Sequence, residues 1–246
     1  MSNSSNSKSV KTTNSEKDSQ ITNKADDNLL FDTVKKMAMA PEKTKQVVEM
    51  MRENAQKTHP SFSEEKITKT VAKSIIDKYC WLATVSGGTT GLVGVIPGPW
   101  TLACAAGGAI SDIAICMKIQ VDMCMCLAET FGYDITTVDA QNLSFLIAGG
   151  ASIEKATAET VTKIGSKAGV RMIHTYLKGA VLQTIKEFFK KIGITFTRKA
   201  LEKAAPFGIG VVIGGTGNYL LTKYVGAQAL KWFDADLKIR KENAAK

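Results

Sequence analysis

Five basic side chains, Lys163, Lys167, Arg171, His174 and Lys178, recur at helical spacing with no carboxylate among them. At about 100° per residue a helix gathers all five into a stripe roughly 80° wide. Ile164, Ala168, Met172, Ile173, Tyr176 and Leu177 take the other sides. Cations held that close repel one another unless an anion sits among them, so the chemistry they suit is capture of phosphate-bearing groups. Against anionic lipid, each basic residue near the surface contributes about 1 kcal/mol. An ordinary solvated helix face is the competing reading. Nucleic acid fits less well, because no aromatic platform or base-reading helix accompanies the charge.

No second chemistry is spelled out. No GxxxxGK[ST], HExxH or GxSxG run occurs, and no catalytic residue is expected. His59 sits in a His-Pro break, and His174 reads as a member of the basic stripe rather than a catalytic base. Cys80, Cys104, Cys116, Cys124 and Cys126 fall inside apolar patterns, where a free thiol behaves as a small buried hydrophobe. Cys124 and Cys126 stand two apart, so on a helix they point to nearly opposite sides and make no zinc pair. Neither a metal nor a cofactor is expected. Gly208-Ile-Gly210-Val-Val-Ile-Gly214, with Asp234 beyond it, imitates a dinucleotide-binding turn. That fingerprint needs a preceding strand, and a Lys-rich helical segment and Pro206 stand there instead. Gly165 and Gly169 form a small-xxx-small pair suited to a tight helix crossing. The best sign of an unrecognised enzyme would be a pocket collecting Asp112, Gln120 and Asp122 or Asp134, although Asp112 reads more simply as a helix N-cap.

A basic stripe needs a helical frame, and the rest of the chain supplies one. Residues 1–27 are Ser, Asn, Thr and Lys with little to bury, and read as a disordered tail. Residues 28–60 read as an N-terminal helical extension. Leu29, Leu30, Val34 and Met37 open it, Pro41 starts a second helix running to about Gln56, and His59-Pro60 stops it. Residues 61–246 read as one helical domain. Ser61-Phe-Ser-Glu64 offers a capping box, followed by Ile67, Val71, Ile75, Tyr79 and Leu82 at helical spacing. Asp112 to Phe131 is the clearest helix, with Ile115, Ile119, Met123 and Cys126 on one face, Lys118 and Asp122 paired on another, and Gly132-Tyr-Asp134 as its stop. Gln141–Ala148, Glu154–Ile192, Thr197–Ala205 and Asn218–Lys241 complete the set. Val and Ile never alternate with polar residues long enough for a strand. The fold class is all-α, a multi-helix bundle.

Two uncharged stretches interrupt this frame, Tyr79–Ser111 and Ala204–Thr222, both rich in Gly and broken by Pro97, Pro99 and Pro206. A spanning helix needs about 20 mostly apolar residues. Leu82, Val85, Leu92, Val93, Val95 and Ile96 supply only about −2 to −4 kcal/mol toward insertion. The stretches suit a close-packed hairpin inside the bundle or a shallow, conditional insertion. Small residues also favour association, with a protein partner or a second copy. The formal charge of +9 is concentrated, with ten Lys or Arg between Lys163 and Lys203 against Glu187 and Glu202 alone, which points to an anionic partner. The N-terminal residues lack the apolar run of a signal peptide, so the cytoplasm is the expected compartment. Near the C-terminus, Leu230, Trp232, Phe233, Leu237 and Ile239 alternate with Lys231, Lys238, Arg240 and Lys241. They read as a helix docked on the bundle, or as one lying at an interface.

Some of these residues also occur in a recognisable order. Gly94-Val-Ile-Pro97-Gly98-Pro99, Asp112, Gln120 and Phe131-Gly132-Tyr133-Asp134 come first. Pro206-Phe-Gly208, Gly214, Gly215, Asn218, Ala227 and Ala229 follow. Together they resemble the bacterial EcsC family over about residues 64–240, with Phe131 where the family often has Tyr. The resemblance implies an α-helical protein, either cytoplasmic or peripheral at the inner face of the membrane, with an accessory role beside a transport or secretion system as one expectation. It brings no catalytic residues. The expected function is therefore a non-enzymatic, membrane-associated helical protein, in which Lys163, Lys167, Arg171 and Lys178 meet anionic phospholipid. The alternatives are a soluble protein-interaction module and an enzyme of unrecognised type.

Overall fold

The computed structural model describes residues 29–86, 109–156, 162–203 and 215–245. Among the described residues every regular element is an α-helix, and no strand occurs. The helices are α1 (29–37), α2 (Pro41–Thr58), α3 (Glu64–Ser86), α4 (Ala109–Thr130), α5 (Val138–Ala156), α6 (Lys167–Lys178), α7 (Val181–Lys203) and α8 (Gly215–Ala244). The disordered-tail expectation for residues 1–27 lies outside the described residues. So do the centres of both Gly-rich stretches, with Pro97, Gly98, Pro206, Gly208 and Gly214.

Helix α4 is the axis of the bundle. Its only charged side chains beyond the first turn are Lys118, Asp122 and Glu129, and no residue from Ile113 to Thr130 is exposed. Lys118 and Asp122 neutralise each other one turn apart, as their spacing predicts. Asp122 also accepts the Met39 backbone N–H at 2.8 Å, which fixes the α1–α2 link against α4. Burial pushes the Asp122 carboxyl up, against the lowering pull of Lys118 and Met39. Helices α3, α5 and α8 pack around this axis. The α3–α8 contact is close because position 226 is glycine: a Cβ there would stand 2.9 Å from Ile76 Cγ2 and 3.2 Å from Met123 Sδ.

Pro41 occupies the first turn of α2, and Gly132 ends the α4 region with φ of 82°, a left-handed conformation that costs other residues energy. On α1, Leu30, Phe31 and Val34 are buried, and Phe31 packs edge-on against Phe145 of α5 and Phe189 of α7. On α8, Trp232 and Phe233 are fully buried, so the C-terminal helix is docked and these aromatics do not face an interface.

Four boundaries differ from the sequence expectation. Helix α3 starts at Glu64 behind Ser63, whose Oγ accepts from Lys66 N, so Ser61 is not the cap. Helix α4 starts at Ala109, which puts Asp112 in the first turn and not at the N-cap; Ala109 and Ile110 are good enough helix formers to extend it. Helix α5 runs unbroken through Gly149 and Gly150, which serve the approach of α7 and of Ile164 rather than a break. The expected single helix Glu154–Ile192 is three pieces. Ser166 caps a fresh start at Lys167, Gly179 closes α6, and α7 then runs through the expected start at Thr197 to Lys203, with residues 204–205 outside the described residues.

Candidate functional site

The basic stripe rides on α6. Ser166 Oγ accepts the Gly169 N–H at 3.0 Å and so satisfies one of the free donors of the first turn. Gly169, Val170 and Ile173 are buried beneath the helix, while Lys167, Arg171 and Lys178 are exposed. Among the described residues none of these three has an ion-pair partner.

Lys163 does not belong to that helical stripe. It sits in the turn before the cap, where its carbonyl accepts Ser166 N–H at 3.0 Å. Gly165 is likewise outside the helix, so Gly165 and Gly169 do not form a helix-crossing pair. Gly165 instead lets the turn press on α8: a Cβ there would lie 2.7 Å from Gln228 Oε1 and 2.8 Å from Lys231 Cβ.

Polar side chains fasten this turn. Glu154 Oε2 accepts Ile164 N–H at 3.0 Å, Tyr224 O–H donates to Glu154 Oε1 at 2.5 Å, and Gln228 Oε1 accepts Gly165 N–H at 3.3 Å. Burial, with Glu154 second, pushes the Tyr224 hydroxyl up to about 12, so it remains a donor.

A second fastening holds the other end of α6. His174 Nε2 lies 2.7 Å from Asp236 Oδ1, and the imidazole packs beside Trp232. His174 is thus tied to a fully buried carboxyl and is not a free member of the basic face. The same Asp236 accepts Tyr133 O–H at 2.5 Å and Arg240 Nε–H at 2.7 Å on Oδ2. Arg240 also donates to the Phe131 carbonyl at 2.8 Å and stacks its guanidinium 4.5 Å from the Tyr133 ring centroid. Burial first, then the Asp236 hydrogen bond, raises the Tyr133 hydroxyl well above its ordinary range. The Phe131–Asp134 segment is therefore a structural knot joining α4, α6 and α8.

The remaining motif residues go to separate places. Asp134 accepts from Thr136 N–H and O–H and pairs with Lys45 at 3.1 Å; Thr136 first, then Lys45, holds its carboxyl below the usual range. Gln120 is buried, accepts Ser152 O–H at 2.6 Å and donates to Cys116 Sγ. Asn218 is buried on α8. Gln120 and Asp122 point to opposite sides of α4 and Asp134 faces Lys45, so these three side chains do not converge, and the Asp112 side chain lies outside the described residues. Among the described residues no three His, Cys, Asp or Glu side chains gather as a metal site. Among the described residues Cys80, Cys116, Cys124 and Cys126 are buried and form no disulfide.

Sequence reasoning passed over Asp236, Tyr224 and Gln228, and took Arg240 only as a cation of the C-terminal helix and Glu154 only as a helix start. One signal for Asp236 was available: it continues the apolar register Ala229, Trp232 and Phe233, so a carboxyl stands at a core position with Arg240 one turn on.

The EcsC protein family model matches residues 2–234, and the chain belongs to that family. The match takes in α1 and α2, which lay outside the expected likeness, in keeping with Phe31 sharing the core with α5 and α7. No significant match was found among curated proteins or among solved structures.

Proposed function

We propose that this protein docks on anionic membrane surfaces through α6 and does no catalysis itself. The observation that carries this reading is the exposed face of Lys167, Arg171 and Lys178, unpaired among the described residues on a helix fastened at both ends. A helix held rigidly with its cations outward loses little freedom when it meets an anionic surface. Among the described residues no helix is long and apolar enough to cross a membrane, so the attachment proposed is peripheral. The working site is then the inner face of the cell membrane, beside a transport or secretion system.

The test is co-sedimentation with phosphatidylcholine vesicles containing phosphatidylserine, at low and at high salt. Reversing Lys167 and Arg171 to Glu removes at least about 2 kcal/mol, some thirtyfold in partitioning. Unchanged binding of that double variant would remove α6 from the mechanism. A second reading, docking to a protein, draws on Trp81, which is 61% exposed on α3. Recovery of the protein in the cytosolic fraction, with no lipid binding even at low salt, would favour that reading.

A further inference from the structure

The corner between α6 and α7 has the chemistry of a shallow membrane wedge. Gly179 and Ala180 are exposed, and at the start of α7 Val181 is half-buried and Leu182 is 45% exposed, so four successive residues without a polar side chain line the corner. Lys178 precedes them and Lys186 follows one turn into α7, and neither has an ion-pair partner among the described residues.

Part of the backbone at the tip is satisfied from within. Gly179 N–H donates to the Tyr176 carbonyl at 3.2 Å, Val181 N–H to the Gly179 carbonyl at 2.9 Å, and Thr184 N–H to the Ala180 carbonyl at 3.0 Å. Behind the tip, the Tyr176 and Phe188 rings meet edge to face at 6.1 Å and brace the two helices against each other. The corner is therefore a braced apolar point between two lysines. Such an arrangement lets the apolar tip enter the head-group boundary while the ammonium groups stay at the phosphate level.

We infer that Gly179–Leu182 is the element that enters the bilayer interface, with Lys178 and Lys186 anchoring it on anionic head groups. The inference rests on the proposed peripheral docking and adds to it a point of insertion. It commits to a bilayer, because a soluble phosphate would engage the lysines and leave Leu182 idle.

Leu182→Asp, Leu182→Gln and Leu182→Trp test it, each checked by circular dichroism for an unchanged fold. Partitioning into phosphatidylcholine vesicles with phosphatidylserine is measured beside the Lys167→Glu/Arg171→Glu variant. The expected result is about tenfold weaker binding for L182D, an intermediate loss for L182Q and tighter binding for L182W, since the residue gains or loses an apolar contact with the layer. Wild-type binding by all three, with loss only in the charge-reversed variant, overturns the wedge and leaves the electrostatic docking standing. Absence of vesicle binding by the wild type overturns both.

Discussion

Asp236 is the residue whose removal should report most directly on this architecture. Its carboxyl accepts from Tyr133, His174 and Arg240, and it is fully buried. Asp236→Ala deletes all three acceptances at once. Hydrogen bonds to a charged group contribute about 1.5–3 kcal/mol each, and a buried donor left unpaired costs about 1–3 kcal/mol. The His174 and Arg240 side chains are 42% and 38% exposed, so both recover water after the change. Tyr133 is the donor that stays largely desolvated. The expected loss is therefore about 3 kcal/mol, well below three full hydrogen bonds. In a chain of this size each kcal/mol lowers Tm by about 2–4 °C, which gives a fall of about 6–12 °C. Thermal unfolding by circular dichroism measures it, with Tyr133→Phe as the second arm of a double-mutant cycle. Tyr133→Phe alone should cost about 1 kcal/mol and should cost less in the Asp236→Ala background. A variant within about 0.5 kcal/mol of wild type would show that the knot does not hold the bundle.

Four further outcomes follow from the geometry. Gly226→Val should destabilise by about 1–3 kcal/mol in urea unfolding, because its Cβ would meet Ile76 at 2.9 Å and the branches have nowhere to go. Gly132→Ala should cost about 1 kcal/mol by the same measurement for a different reason: nothing lies within 4 Å of its Cβ, and only the φ of 82° opposes the change. Cys124 and Cys126 should resist iodoacetamide in the folded protein at mildly alkaline pH and react on unfolding. Burial raises both thiols, with Cys126 pushed up to about 12, and residue-resolved mass spectrometry reads the outcome. Asp134 should give the acid limb of the stability curve part of its slope. Its folded pKa is lowered from 3.8, so its contribution is present above that value and lost as pH falls through the folded pKa. Asp134→Ala should show a flatter limb in pH-dependent unfolding.

The helical frame was largely readable from residue order, because helix periodicity, proline at a first turn and glycine at a stop are local signals. Pro41, Gly132, the Lys118–Asp122 pair and the face of Ile67, Val71 and Ile75 all appear where spacing puts them. The same local signals failed where two meanings compete. Gly149-Gly150 reads as a break but serves close packing, while Ser166 and Gly165, inside an apparently continuous helical pattern, mark a turn. That turn removes Lys163 from the stripe and shortens the cationic face.

Composition alone also concentrated the charge in the α6–α7 region and left the chain without a catalytic signature. Which cations stay free, and how they are held, was settled by contacts between distant residues. Asp236 meets Tyr133 across 103 residues of chain and His174 across 62, while Arg240 reaches the Phe131 carbonyl across 109. A hydrogen bond depends on where two side chains arrive after the helices have packed. Periodicity fixes which face of each helix a residue occupies, and only the packed bundle decides which faces meet.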